Sequence, residues 1–410
     1  MQMLRIESTD HDRCCGCTAC VSVCGTHALQ MEPDAYGFSY PRIDNDLCVG
    51  CGRCTRVCPT MAADAQRDLK LRQCMRSVVA LASDPTELVT STSGGMASVL
   101  ARTFIRQLRG VVYGASAADP YRVRHVRIDR EDQVSQLKGS KYVQSDMEGI
   151  IPQIKMDLKD CRNVLFVGTP CQCAGVQLCF PNHGGRLWLV DFVCHGVPSQ
   201  QMLNDAYKEL GVDVGSVAFR RKDAGGKSEY GLFLRDKEGR LCYEGLYGYD
   251  RYITSFLKGL NYRESCYNCR FANHRRASDI TLGDYWNPDG KYSHLPGSRF
   301  GLSQVHANSE HGEALLNIAA EAYHSEQIPI SKLLAHSEQL RKPITPHPES
   351  QLFFSTYMQG KSFIESCDTA LEPFFRRYPF YRLKCALRQL PRLVWDYVHA
   401  VPQFFKKNTP

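Results

Sequence analysis

Apolar positions along this chain fall into short unbroken runs separated by segments of helical period, and that alternation predicts most of the fold. Runs at 78–82, 111–114, 163–167 and 187–193, with a further segment at 123–128, read as strands. Segments 96–108, 173–178 and 200–210 read as helices, the first opened by the loop Thr90-Ser91-Thr92-Ser93-Gly94-Gly95. Strands alternating with helices define an α/β body. From 217 to 249 the pattern becomes charged, glycine-rich hairpins, from 311 to 324 it is helical again, and beyond about 330 it carries no clear fold signal. Segment 64–72, rich in Arg, Lys, Asp and Gln, reads as a linker helix in front of the body.

The first sixty residues follow a different rule, an internal repeat. Cys14, Cys17, Cys20 and Cys24 recur as Cys48, Cys51, Cys54 and Cys58, each displaced by 34 residues. Between them Tyr36-Gly37-Phe38-Ser39-Tyr40-Pro41 alternates like a short strand, so each half is expected to be a ligand loop, a short helix and a strand. Cys-x2-Cys-x2-Cys-x3-Cys, the second copy followed by Pro59, is the ligand spacing of a two-cluster bacterial ferredoxin. Three thiolates in a tight loop face one cube of iron and sulfide, and the fourth cysteine reaches to the other. The spacing therefore assigns Cys14, Cys17, Cys20 and Cys58 to one [4Fe-4S] cluster, and Cys48, Cys51, Cys54 and Cys24 to a second. Zinc sites more typically use two separated CxxC pairs. Gly25 stands where the first motif usually has proline, and Cys15 is surplus to the spacing.

Composition narrows the class. The chain has 410 residues, 43% hydrophobic and 23% charged, which excludes disorder and fits two or three domains. Twenty cysteines without a signal-peptide pattern point to a reducing cytoplasm, where clustered thiols are metal ligands or redox groups rather than staples. No uncharged apolar run is long enough to span a bilayer. The net charge of +7 is uneven: residues 371–410 hold eight Lys and Arg against Glu372 and Asp396, or +6, which leaves +1 for the rest. A near-neutral body argues against nucleic acid as partner. The tail has two readings: an amphipathic helix packed on the body, or, with Phe374, Phe375, Tyr378, Phe380, Tyr381, Trp395, Tyr397, Phe404 and Phe405 among its cations, a peripheral contact with the inner face of a membrane.

Further cysteines sit where an α/β sheet puts its sites. Cys171 follows one expected strand in Gly168-Thr169-Pro170-Cys171-Gln172, Cys194 follows another in Asp191-Phe192-Val193-Cys194-His195-Gly196, and Cys266 and Cys269 form a lone CxxC. On spacing alone these four are ligands of a third [4Fe-4S] cluster or a structural zinc, or ordinary small apolar residues. Cys74, Cys161, Cys173, Cys179, Cys242, Cys367 and Cys385 take the last reading, and His195 reads as a hydrogen-bonding loop residue. Ser91-Thr92-Ser93-Gly94-Gly95 at a helix start suits a phosphate or a close-packed flavin, although a Ser or Thr cap followed by glycine is also common at helix starts. Gly139-Ser140-Lys141-Tyr142 and Phe219-Arg220-Arg221-Lys222 offer cations to an anionic ligand or form a solvated patch.

Taken in order, Ser93-Gly94-Gly95, Gly139-Ser140-Lys141-Tyr142-Val143-Gln144-Ser145, the Cys171 and Cys194 segments, Phe219-Arg220-Arg221-Lys222, Cys266-Tyr267-Asn268-Cys269 and Ser278-Asp279-Ile280-Thr281-Leu282-Gly283-Asp284 resemble the coenzyme F420 hydrogenase/dehydrogenase beta-subunit family (FrhB/FdhB type) over roughly 75–330. The resemblance implies FAD near Ser93, Gly94, Gly95, Ser140 and Lys141, and a third cluster on Cys171, Cys194, Cys266 and Cys269. The expected fold class is α+β and α/β: a bacterial-type ferredoxin domain at 1–63, a flavin-binding α/β body in two parts at 75–160 and 161–335, and a helical, basic, aromatic extension at 336–410.

The implied function is an iron–sulfur flavin-dependent oxidoreductase that couples one-electron transfer through the clusters to hydride chemistry at FAD. Its partners are a redox protein, a deazaflavin or another hydride carrier, and a small molecule; no catalytic residue is singled out. Two alternatives stand beside it, a reductase of bacterial surface-polysaccharide biosynthesis and a non-catalytic electron-transfer or docking subunit.

Overall fold

The structure, a computed structural model, describes residues 11–61, 69–222, 226 and 228–377. Its strands, in chain order, are β1 (Leu29–Pro33), β2 (Ser39–Ile43), β3 (Arg76–Ala82), β4 (Val111–Ser116), β5 (Arg124–Ile128), β6 (Val164–Gly168), β7 (Leu187–Phe192), β8 (Ser216–Lys222), β9 (Ser228–Arg235), β10 (Leu241–Leu246), β11 (Ile280–Tyr285), β12 (Leu302–Ala307) and β13 (Tyr323–Gln327). Eight of them form one mixed sheet in the order β13-β3-β12-β11-β7-β6-β4-β5. Its middle, β4-β6-β7-β11, is parallel, and antiparallel pairs complete both flanks.

The parallel strands explain the unbroken apolar runs. Crossover connections place the helices Ile150–Lys159 and Pro170–Cys179 between β4, β6 and β7, and Met96–Leu108 leads from β3 to β4, so interior strands are covered on both faces and have no polar side. Val164, Leu165 and Phe166 are all fully buried. Helix starts follow local chemistry: Thr169 and Gln172 form a capping box at Pro170–Cys179, with proline in the first turn, and Ser199 caps Gln200–Leu210 through Met202 N–H.

Three cores knit the chain together. One gathers Met96–Leu108 against the β3 side of the sheet. A second, on the β6 side, packs Ile150, Ile154, Cys173 and Val176 with Cys17 and Ala19 from the first cysteine loop. The third joins Phe38 and Tyr40 to the helix Gln200–Leu210, to the three-stranded meander β10-β9-β8 and to Phe353 and Phe363. The N-terminal residues are thus part of the body's cores.

Several boundaries differ from expectation. The N-terminal strands are an antiparallel hairpin, β1-β2, in which Tyr36 and Phe38 belong to the turn held by Asp34 Oδ1, which accepts from both of their N–H groups. Segment 311–324 is helical as Glu310–Ile318 and as a short 3-10 turn at Ala320–Ala322; Tyr323 and His324 begin β13, because β3 offers a free edge that outweighs local helical period. In the expected linker helix, 62–68 lie outside the described residues, while 69–72 are not helical and Arg72 bridges to Arg276. Beyond 330 the chain forms helices at Ile330–His336, Ser350–Met358 and Phe363–Arg377, the last with Lys258 over Phe374 at 4.2 Å. The remaining tail, from 378, lies outside the described residues. Among those described, no helix is long and apolar enough to cross a membrane.

Candidate functional site

The C-terminal ends of β6 and β7 are neighbours in the parallel sheet, so the residues just beyond them meet at one place. Cys171 stands in the first turn of Pro170–Cys179, its Sγ 3.1 Å from Thr169 Oγ1. Cys194 follows β7 in a loop whose Gly196 has φ +140°, and a Cβ there would lie 2.2 Å from the Tyr262 ring. Cys266 sits on the short helix Glu264–Tyr267 and Cys269 just past it. Arg276 holds the two segments together: almost fully buried, it pairs with buried Asp191 at 3.1 Å and donates to the carbonyls of Phe192 and Phe271. Cys171, Cys194, Cys266 and Cys269 consequently lie within electrostatic reach of one another. Burial, and then its cysteine neighbours, drive the Cys266 thiol well up, and burial followed by Cys171 pushes Cys269 up to about 11. Four half-buried thiols gathered at one place suit a cation or cluster that displaces their protons.

The two N-terminal motifs are treated differently by the fold. Cys14, Cys17, Cys20 and Cys58 are brought together: burial raises the Cys20 thiol, with Cys14 and Cys58 adding to it. At Cys17 a hydrogen bond with Cys15 pulls the thiol down, but burial and the charges of Cys58 and Cys20 outweigh it. In the second set Cys54 feels Cys51, whereas the partner of Cys24 is Thr26, Sγ to Oγ1 3.7 Å, and Cys51 is exposed. Among the described residues no three His, Cys, Asp or Glu close to the spacing of a single ion.

A cavity of about 620 Å³ opens at the same strand ends, within the usual size of a cofactor site. All four strand-end cysteines line it, as do Ser93, Gly95, Ser140 and Lys141. Gly94 does not. A Cβ there would lie 2.6 Å from the Ala80 carbonyl oxygen, so this glycine serves close packing against β3 and β12. Gly95, at φ +81°, turns the chain into Met96–Leu108. Lys141 is half-buried, with its Nζ donating to the Leu137 and Lys138 carbonyls, and desolvation pulls it down to about 7. His195 lines the cavity, its residue exposed at the surface, and desolvation lowers the ring from its ordinary value. Arg220 pairs with Asp284 at 2.6 Å and lies 4.7 Å over Tyr230, so that motif is a structured wall rather than a solvated patch.

Two residues that sequence reasoning passed over join these centres. Cys15 lies within side-chain hydrogen-bonding reach of both Cys17 and Cys171 and lines the cavity, so it occupies the seam between the first loop and the strand-end cysteines. Arg263, three residues before Cys266, is fully buried, and its guanidinium reaches the first loop. An arginine beside a CxxC was the available signal. Of the cysteines read as buried apolar residues, Cys173 and Cys367 are buried, whereas Cys161 and Cys242 are exposed, Cys161 at a left-handed helix exit and Cys242 at the rim of the meander; Cys385 lies outside the described residues.

Comparison with known proteins gives two family matches. Residues 13–62 match the 4Fe-4S dicluster domain, and residues 161–332 match the family described as the C terminus of the coenzyme F420 hydrogenase/dehydrogenase beta subunit. No curated protein matches the chain. A chain in a structure of the F420-reducing [NiFe] hydrogenase complex from Methanosarcina barkeri is similar over 74% of this chain and 93% of that one, with 15% identity and a TM-score of 0.45. The two family matches support an iron–sulfur-linked oxidoreductase role. This chain carries a 4Fe-4S dicluster domain followed by an FrhB/FdhB-type domain.

Proposed function

We propose that this protein is an iron–sulfur flavoprotein that moves electrons between a one-electron carrier at its N-terminal loops and a hydride donor or acceptor, coenzyme F420 or a similar carrier, at the cavity. The carrying observation is the shared wall: the strand-end cysteines, the segments expected to hold FAD and Cys15 of the first cysteine loop line one cavity. Cys14, Cys17, Cys20 and Cys58 would hold the inner dicluster site, Cys48, Cys51, Cys54 and Cys24 the outer one, and Cys171, Cys194, Cys266 and Cys269 a third [4Fe-4S] cluster. A bound flavin supplies the exchange between hydride, a two-electron unit, and the single electrons a cluster carries.

The chain's own residues prepare the cavity for such a ligand. Lys141 brings a cation with no carboxylate among its hydrogen-bond partners, and Ser140 reaches Thr92 at 3.3 Å, which gathers donors where a phosphate group would lie. His125 is buried on the same wall, its Nε2 3.1 Å from the Val167 carbonyl, so among the described residues Nδ1 is left as an acceptor without a partner. Unsatisfied buried acceptors are uncommon unless a ligand completes them.

Anaerobic purification with iron, acid-labile sulfide and flavin measured on one sample tests the reading. About twelve iron atoms and one FAD per chain are expected. About eight iron atoms without flavin would instead make the body a docking surface for a fused ferredoxin.

A further inference from the structure

Two arginines are buried beside the cysteine sites, and they differ in one respect. Arg276 has a carboxylate, Asp191, which neutralises it. Arg263, 0% exposed, has none: among the described residues its guanidinium meets only neutral groups and a cysteine. Nε donates to the Cys14 carbonyl at 2.6 Å, Nη2 to the Ser39 carbonyl at 2.9 Å, and Nη1 to Gln144 Oε1 at 3.2 Å. Its Cζ lies 4.1 Å over the Tyr40 ring, and Nη2 approaches Cys14 Sγ at 3.6 Å. The loop is shaped to admit it. Gly16, at φ +67°, comes so close that a Cβ would stand 2.5 Å from Gln144 Nε2 and 3.1 Å from Arg263 Nη1.

Burying a guanidinium without an anion costs several kcal/mol, and guanidinium does not escape by losing its proton. The missing counter-charge must therefore come from an anionic group within its reach. Among the described residues that group is the Cys14 sulfur, 3.6 Å from Nη2, which is anionic when it ligates a cluster. We propose that Arg263 is the counter-ion of the cluster held by Cys14, and that it sets the reduction potential of that cluster while fastening its loop to the Cys266 segment. This rests on the cluster reading above.

The direction follows from charge. A thiolate-ligated cluster gains one negative charge when it takes one electron from its donor, and no bond breaks. A fixed cation hydrogen-bonded to one of its thiolates favours the reduced form, all the more at low local dielectric. Removing the cation lowers the potential. The backbone of Arg263 carries the second half of the role: its N–H donates to the Val197 carbonyl, and its carbonyl accepts from Cys266 N–H, so the residue that touches Cys14 also positions a strand-end cysteine.

The test is potentiometric titration of the anaerobically purified full chain with dithionite and mediators, followed by electron paramagnetic resonance, on wild type, Arg263→Met and Arg263→Lys, with iron and sulfide counted on each. Wild type lacking iron would reject the cluster reading itself. With iron intact, Arg263→Met is expected to lower the reduction equilibrium constant of one cluster at least tenfold, about 59 mV for a one-electron couple, and Arg263→Lys to restore most of it. Selective iron loss in Arg263→Met that Lys prevents would also support a counter-ion. Unmoved potentials at full iron content, or equal iron loss in both variants, would overturn the proposal.

Discussion

The two cysteine loops of the N-terminal repeat have the same spacing, yet the fold gives them opposite surroundings. The first is seated on the body: Cys17 is 8% exposed, Ala19 is fully buried, and Cys17 packs against Gly175 in the helix that begins at Pro170. The second faces solvent, with Cys51 exposed and Leu47 and Val49 49% and 71% exposed beside it. Spacing decides which cysteines can share a cluster, whereas neighbours decide how that cluster behaves. A loop at the surface can meet a soluble carrier, and a loop in the seam can pass electrons only to what the body holds there. The difference orders the proposed path from Cys51, through the Cys14 set, to the cavity.

The comparison can be broken most severely beneath the inner loop. Arg276→Ala would leave Asp191 charged, buried and unpaired, so the body is expected to lose about 3–5 kcal/mol of stability in urea unfolding and with it the strand-end site. Gly175→Leu attacks the seat itself. A Cβ there already lies 2.9 Å from Cys17 Sγ, and overpacking of this kind typically costs about 1–3 kcal/mol; iron analysis should show the inner set depleted while the outer set keeps its iron.

Acid should separate the two regions more gently. Burial holds His125 at about 4, and His306 also well below the ordinary 6.5, so the folded body binds fewer protons than the unfolded chain. Stability from these groups is full above 6.5 and is lost as pH falls from 6.5 toward about 4 for His125 and about 3 for His306, which a series of thermal melts would record as a declining Tm. Replacing His306 with Gln should flatten part of that decline.

The mildest perturbation sharpens the contrast without disturbing the fold. Val49→Asp changes an exposed side chain and should move stability by no more than about 0.5 kcal/mol, while slowing reduction by an external iron–sulfur or flavin carrier in stopped flow. An equal slowing by small, uncharged mediators would remove the outer loop as the point of exchange.

Much of this was legible in sequence because the relevant signals are local. Met96–Leu108 and Gln200–Leu210 were readable to the residue from apolar period and their flanking loops. The parallel strands were readable because burial on both faces leaves no polar position in the run. Sequence reading placed the start of β13 within a helix because its pairing partner, β3, is more than two hundred residues away. No local pattern tells a glycine that admits a ligand from one that admits a neighbouring strand, and at Gly94 a Cβ would meet the Ala80 carbonyl.

By itself, then, the sequence determined the chemistry that can be held: two repeated cysteine motifs, four further cysteines in loops, and an α/β frame whose strand ends offer a site. Spacing and period act over a few residues, and those are the distances at which ligand loops, turns and helices form. The tertiary structure alone decided which loop is buried, that Cys15 lies between Cys17 and Cys171, and that the charge of Arg263 is carried to Cys14 from 249 residues away. Burial and electrostatic reach depend on packing in space, and no local pattern of residues encodes them.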